Sequence, residues 1–211
     1  TSAVTYLNVG TAPTTTLRLY FYADPADTIP STYDLPSAAV NAAGAIFIGN
    51  VGVVDPGFQG SAYLESDQMM QVTLVQIPMN STTVKNRALS NGFVSGGPTA
   101  LIPTVLKNTF NTTSQFSVMN VGTAATSVEL KFVPVSGSPV TVNVASLPAG
   151  AAQYFDMGTL AEITTASFNG SVQLTAGAGG SIVATSMEMS TTGIDAYAFE
   201  GTGSDAATIY M

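Results

Sequence analysis

The chain repeats itself, and that constrains its fold more than any other feature. Thr1 to Ala12 reads Thr-Ser-Ala-Val-Thr-Tyr-Leu-Asn-Val-Gly-Thr-Ala, and Thr113 to Ala124 reads Thr-Ser-Gln-Phe-Ser-Val-Met-Asn-Val-Gly-Thr-Ala, with seven of twelve positions identical. Such self-similarity marks a supersecondary unit used more than once. Further matches keep the order. Leu17-Arg18-Leu19-Tyr20 is set against Glu129-Leu130-Lys131-Phe132, and Ala43-Gly44-Ala45 against Ala149-Gly150-Ala151. Phe58-Gln59-Gly60-Ser61 answers to Phe168-Asn169-Gly170-Ser171, and Thr99-Ala100-Leu101-Ile102 to Thr208-Ile209-Tyr210-Met211. The spacing is about 110 residues and drifts through loops of unequal length, including a Pro/Asp-rich excursion from Ala23 to Pro36 in the first copy. The 211 residues therefore divide into two predicted units, 1–107 and 108–211.

Within each unit the local pattern is that of strands. Ser127 to Phe132, Val140 to Val144 and Ser171 to Thr175 alternate apolar with polar residues, the period of a half-buried strand. Ile46-Phe47-Ile48 and Ser181-Ile182-Val183-Ala184 read as strands buried on both faces. Ser37 to Ala45 is Ala-rich without an apolar stripe and is predicted to be loop. Gly and Pro interrupt the chain every ten residues or so, and short strands at that spacing predict an all-β sandwich or barrel. Met69-Met70, Met79, Met187 and Met189, with Tyr6, Phe21, Tyr154 and Phe168, are assigned to the core.

Composition removes several function classes. With no Cys and no His, thiol nucleophiles, Ser-His-Asp machinery and the usual zinc sites are excluded. The net charge is −8 and the five basic residues, Arg18, Lys85, Arg87, Lys107 and Lys131, stand singly, so neither a nucleic acid nor an anionic membrane is a predicted partner. No apolar run is long enough for membrane insertion. Two carboxylate pairs, Glu65 with Asp67 and Glu129 with Glu188, are the candidates for acid catalysis. Both read better as exposed strand or turn residues, and the sequence predicts no enzyme and no cofactor. Asp24, Asp27 and Asp34 share a Pro-rich region but form no Asp-x-Asp-x-Asp-Gly string, so a solvated turn is favoured over a Ca²⁺ site. Gly177-Ala178-Gly179-Gly180 precedes a strand and reads as a hairpin turn rather than a phosphate loop. Sequons at Asn80, Asn111 and Asn169 make covalent glycans a possible modification.

The order Asn-Val-Gly-Thr-Ala, alternating strand, Ala-Gly turn, Phe58-Gln59-Gly60-Ser61-Ala62-Tyr63-Leu64-Glu65-Ser66-Asp67-Gln68, then Thr99-Ala100-Leu101-Ile102-Pro103, resembles tandem repeats of bacterial extracellular surface proteins. The resemblance covers essentially the whole chain and implies two tandem immunoglobulin-like β-sandwich units at an extracellular or cell-surface location. The second copy departs from it at Ala176 to Gly180, where the Ser66-Asp67-Gln68 pattern is missing.

The segment Leu101 to Asn108 has no counterpart before Thr1 or after Met211, so the chain reads as cut from a longer register. A chain opening at Thr1 rather than Met likewise reads as a processed or excised product, in keeping with export. These features predict a structural subunit of an extracellular filament, sheath or surface layer. Its protomers would self-associate into a homopolymer by end-to-end contacts or strand addition. The expected inter-protomer strand residues are Leu101, Ile102, Thr104, Val105, Thr208, Ile209 and Tyr210. The alternative is an adhesion or carbohydrate-binding module, with Tyr33 and Tyr63 as its contacts.

Overall fold

A computed structural model describes residues 2–23, 28–58, 60–76, 88–190, 195–201 and 203. The described chain is all-β, with one 3-10 turn at Ile48–Asn50 and no α-helix among those residues. Seven strands occupy the N-terminal part: β1 Ser2–Asn8, β2 Leu17–Ala23, β3 Ser31–Asp34, β4 Ala43–Phe47, β5 Gly60–Ser66, β6 Met70–Gln76 and β7 Ala88–Asn91. A long strand, β8 Thr99–Lys107, leads into seven more: β9 Thr112–Asn120, β10 Thr126–Pro134, β11 Val140–Leu147, β12 Ala152–Asp156, β13 Phe168–Ala176, β14 Ile182–Ser190 and β15 Ala196–Glu200.

All ladders are antiparallel, and they form four sheets whose orders repeat. The sheet β4-β1-β6-β7 has its counterpart in β12-β9-β14-β15, and β3-β2-β5 in β11-β10-β13-β8. Adding eight to the number of each strand from β1 to β7 thus gives its equivalent. β8 is the odd strand. The repeat counts it with residues 1–107, yet it makes its ladder with β13.

Each pair of sheets encloses one apolar core. Leu17, Leu19 and Phe21 of β2 meet Val4 and Tyr6 of β1 in the first, and Val128, Leu130 and Phe132 of β10 meet Phe116 and Val118 of β9 in the second. β2 and β10 owe this to strict alternation: every second side chain is buried, and the polar residues between them face out. The same burial pattern corrects two alignments made from sequence. Leu17-Arg18-Leu19-Tyr20 matches Val128-Glu129-Leu130-Lys131, one residue earlier than expected, because the expected match set buried Leu17 against exposed Glu129. Ala43 pairs with Leu7 and Ala152 with the equivalent Met119, so Ala152 corresponds to Ala43, and Gly150 to Asn41 rather than Gly44.

Two glycine positions follow from this geometry. Asn41 and Gly150 both have positive φ, 61° and 78°, where Gly and Asn are the residues best tolerated. Gly60 and Gly170 pass so close to the carbonyl oxygens of Tyr22 and Val133 that a Cβ would collide with them. This close approach accounts for the Gly in the Phe-x-Gly-Ser match.

Several expected placements are overturned. Met69 is a turn residue 73% exposed, and Tyr154 lies on the outer face of β12 at 37%, so neither belongs to the core. Phe47 sits on the edge strand β4 at 49% exposure, which leaves Ile46 to Ile48 far from buried on both faces. Ala43 to Ala45, expected as loop, begin β4. Tyr6, Phe21 and Phe168 are buried as expected, whereas Met79 lies outside the described residues.

Candidate functional site

The repeated Asn-Val-Gly-Thr-Ala motif is a structural clasp, built identically twice. Asn8 is fully buried; its Nδ2 donates to the carbonyl oxygens of Ala12 and Ala38, both at 2.9 Å, and its Oδ1 accepts from the Gly10 N–H at 2.9 Å. Asn120, also fully buried, donates to the carbonyls of Ala124 (2.8 Å) and Leu147 (2.9 Å) and accepts from Gly122 N–H (2.9 Å). Asn8 thus ties the end of β1 to two loops, and Asn120 ties the end of β9 to a loop and to the last residue of β11, which explains why the motif outlasts its surroundings.

The carboxylate candidates have other occupations. Asp67 accepts from the Thr15 hydroxyl at 2.6 Å and from the Thr15 and Thr16 N–H groups, bonds that hold its carboxyl below the ordinary aspartate range. Its neighbour Glu65 accepts from the Tyr20 hydroxyl at 2.5 Å. Glu129 is exposed on the outer face of β10, while Glu188 belongs to β14 in the opposite sheet, so the structure does not bring this pair together. Glu188 is half-buried, its Oε1 has no partner among the described residues, and burial raises its pKa. Asp34 forms an ion pair with Arg18, whereas Asp24 and Asp27 lie outside the described residues. Among the described residues there is no cluster of three acidic side chains suited to a cation.

Of the sequons, Asn111 is exposed at the turn between β8 and β9, with φ 57°. Asn169 lies within β13, between β10 and β8, and Asn80 falls outside the described residues. The Tyr residues named for glycan contact also differ. Tyr33 packs against the first core, while Tyr63 is exposed and stacks on Tyr20 with ring centroids 4.4 Å apart.

The expected inter-protomer residues fall into two groups. Leu101, Ile102, Thr104 and Val105 lie in β8 and find their partner strand, β13, within the chain; Ile102 and Val105 are fully buried. Thr208, Ile209 and Tyr210 lie outside the described residues.

The feature that pattern reading missed is where the two sheet pairs differ. β13 is flanked on both sides, by β10 and β8; its equivalent β5 is bonded, among the described residues, on one side only, to β2. The ladders match Ala62 and Leu64 to Val172 and Leu174. Val172 and Leu174 are wholly buried, but Ala62 is exposed and Leu64 only half-covered, although both face inward opposite Phe21 and Leu19. On the facing sheet, Val72 and Leu74 are likewise half-covered where Ala184 and Ser186 are 1% and 3% exposed. A cavity of about 730 Å³ opens here, lined by Ala62, Leu74, Ala88 and Ser90 of the first pair and by Tyr154, Ser186 and Met187 of the second. Gln76 Oε1 and Ser186 Oγ are buried in its wall with no protein partner among the described residues.

No protein-family model, curated protein or solved structure matches the chain.

Proposed function

We infer that this chain is a structural subunit of an extracellular filament, sheath or surface layer, with two immunoglobulin-like sandwich units as its building blocks. The observation that carries the reading is the edge of β5, unflanked among the described residues, beside inward-facing residues left open. An unpaired edge presents a row of N–H and C=O groups that a further strand satisfies, and proteins that stay monomeric cover or charge such edges. The sheet orders repeat, each pair has its own core, and with charged residues at only 9% the surface is built largely from neutral hydroxyls and amides. The fold spends its buried polar groups on clasps such as Asn8 and Asn120, which hold loops in place.

A second reading, an adhesion or carbohydrate-binding module, draws on the outer face of β2 and β5. There Tyr63 stacks on Tyr20 and lies 6.2 Å from Tyr22, an aromatic row of the kind sugars pack against. Electron microscopy of the purified chain at high concentration separates the two. Regular polymers or sheets are expected for a structural subunit; dispersed monomers that bind glycans, and lose that binding in Tyr63→Ala, favour the module.

A further inference from the structure

We propose that the open edge of β5 is the acceptor for the segment Thr208–Met211 of a second copy of this chain, which adds as an antiparallel strand in the register that β8 uses on β13. The proposal rests on the structural-subunit reading and specifies its joint. β7 leaves its ladder at Asn91, opposite Thr73, and β15 leaves its ladder at Glu200, opposite Thr185. The next residue makes the same bond in both: Gly92 N–H donates to the Val72 carbonyl and Gly201 N–H to the Ala184 carbonyl, each at 2.8 Å. Asn91 and Glu200 are therefore equivalent exit points. From the first, seven residues, 92–98, lead to Thr99, the start of β8; from the second, seven residues, 201–207, lead to Thr208.

β8 shows what an exit strand does. Between β7 and β8 the chain crosses to the other sheet pair and bridges at Gly97 to Ile182; β8 then runs along β13, where Ala100 and Ile102 turn inward to complete the core. The β5 edge is the one equivalent site among the described residues with no such strand.

The β8 register, carried over, sets Thr208 opposite Glu65, Ile209 opposite Leu64, Tyr210 opposite Tyr63 and Met211 opposite Ala62. The chemistry fits each position. Ile209 and Met211 face inward over the half-covered Leu64 and exposed Ala62, Met being well suited to an irregular gap. Tyr210 faces outward against Tyr63 and extends the Tyr20–Tyr63 stack by one ring. Main-chain hydrogen bonds supply affinity and the alternate side chains supply register, as in other strand additions. Because donor and acceptor lie on the same chain at different places, the contact is heterologous, and it propagates into an open polymer wherever the rotation between copies does not close a ring.

The chain has no cysteine, so a pair introduced for cross-linking has no competitor. Residues directly opposite on antiparallel strands lie within disulfide reach, while neighbours on opposite faces point apart. Tyr63→Cys and Tyr210→Cys chains carrying different tags are co-expressed and oxidised. The expected result is a disulfide joining one chain of each kind, a ladder of linked multimers from the doubly substituted chain, and loss of the bond when Leu64→Cys replaces Tyr63→Cys. A bond formed only within single chains overturns the proposal. Polymers that assemble without any bond also overturn it, and leave the structural-subunit reading standing. Absence of both bond and polymer overturns the two together.

Discussion

Asn120→Ala lowers the unfolding free energy by about 3–4 kcal/mol, and Asn8→Ala does the same to its own sheet pair. Each substitution deletes three hydrogen bonds of 2.8–2.9 Å and leaves one buried carbonyl, that of Ala38 or Leu147, and one nearer the surface, that of Ala12 or Ala124, without its donor. A neutral bond contributes about 1 kcal/mol net, and a buried group left unsatisfied costs about 1–3 kcal/mol more. Asp at either position is no rescue: it keeps the acceptor, loses both donors and points negative charge at two carbonyl oxygens. Urea unfolding of the purified variants measures the loss. A loss below about 1 kcal/mol would mean that water or a shifted loop replaces the side chain without difficulty.

Leu174→Ala costs about 3–4 kcal/mol in the isolated chain, whereas Leu64→Ala at the equivalent position costs about 1 kcal/mol. Leu174 is wholly buried between β10 and β8, so its truncation leaves a cavity in a closed core and adds a cavity term to the lost transfer energy. Leu64 faces the open side, where solvent already reaches part of it and truncation leaves no sealed void. The difference between these two chemically identical substitutions measures how incomplete the first core is. Equal urea-midpoint shifts would show that the first core is as closed as the second.

Much of the fold is legible in the sequence, because alternation in strands such as Val128 to Phe132 leaves a local record and the Asn-Val-Gly-Thr-Ala clasp makes two of its three bonds within four positions. What depends on distant partners is not legible in the same way. Strand periodicity distinguishes inside from outside only once the register is known, so the sequence alone sets Leu17 one residue out of step, and a slip of one reverses every face. Met69 and Tyr154 are large and apolar enough for a core, but a turn and an outer face place them in solvent. Above all, β8 reads as the last strand of the first copy. Its ladder partner β13 begins some 60 residues away, so no local pattern reveals that one exit strand serves the other sheet pair.

That arrangement leaves the first sheet pair one strand short among the described residues, and the structural-subunit reading claims that a strand from outside completes it. Hydrogen exchange along β5, with β13 as the internal reference, tests it most directly, because exchange reports which backbone amides are held in stable ladders. In the unassembled chain, amides of Gly60–Ser66 that point away from β2 should exchange far faster than those of Phe168–Ala176, and should become protected when copies assemble. Protection of β5 equal to that of β13 in the unassembled chain would contradict the claim, since its outer edge would then already be paired.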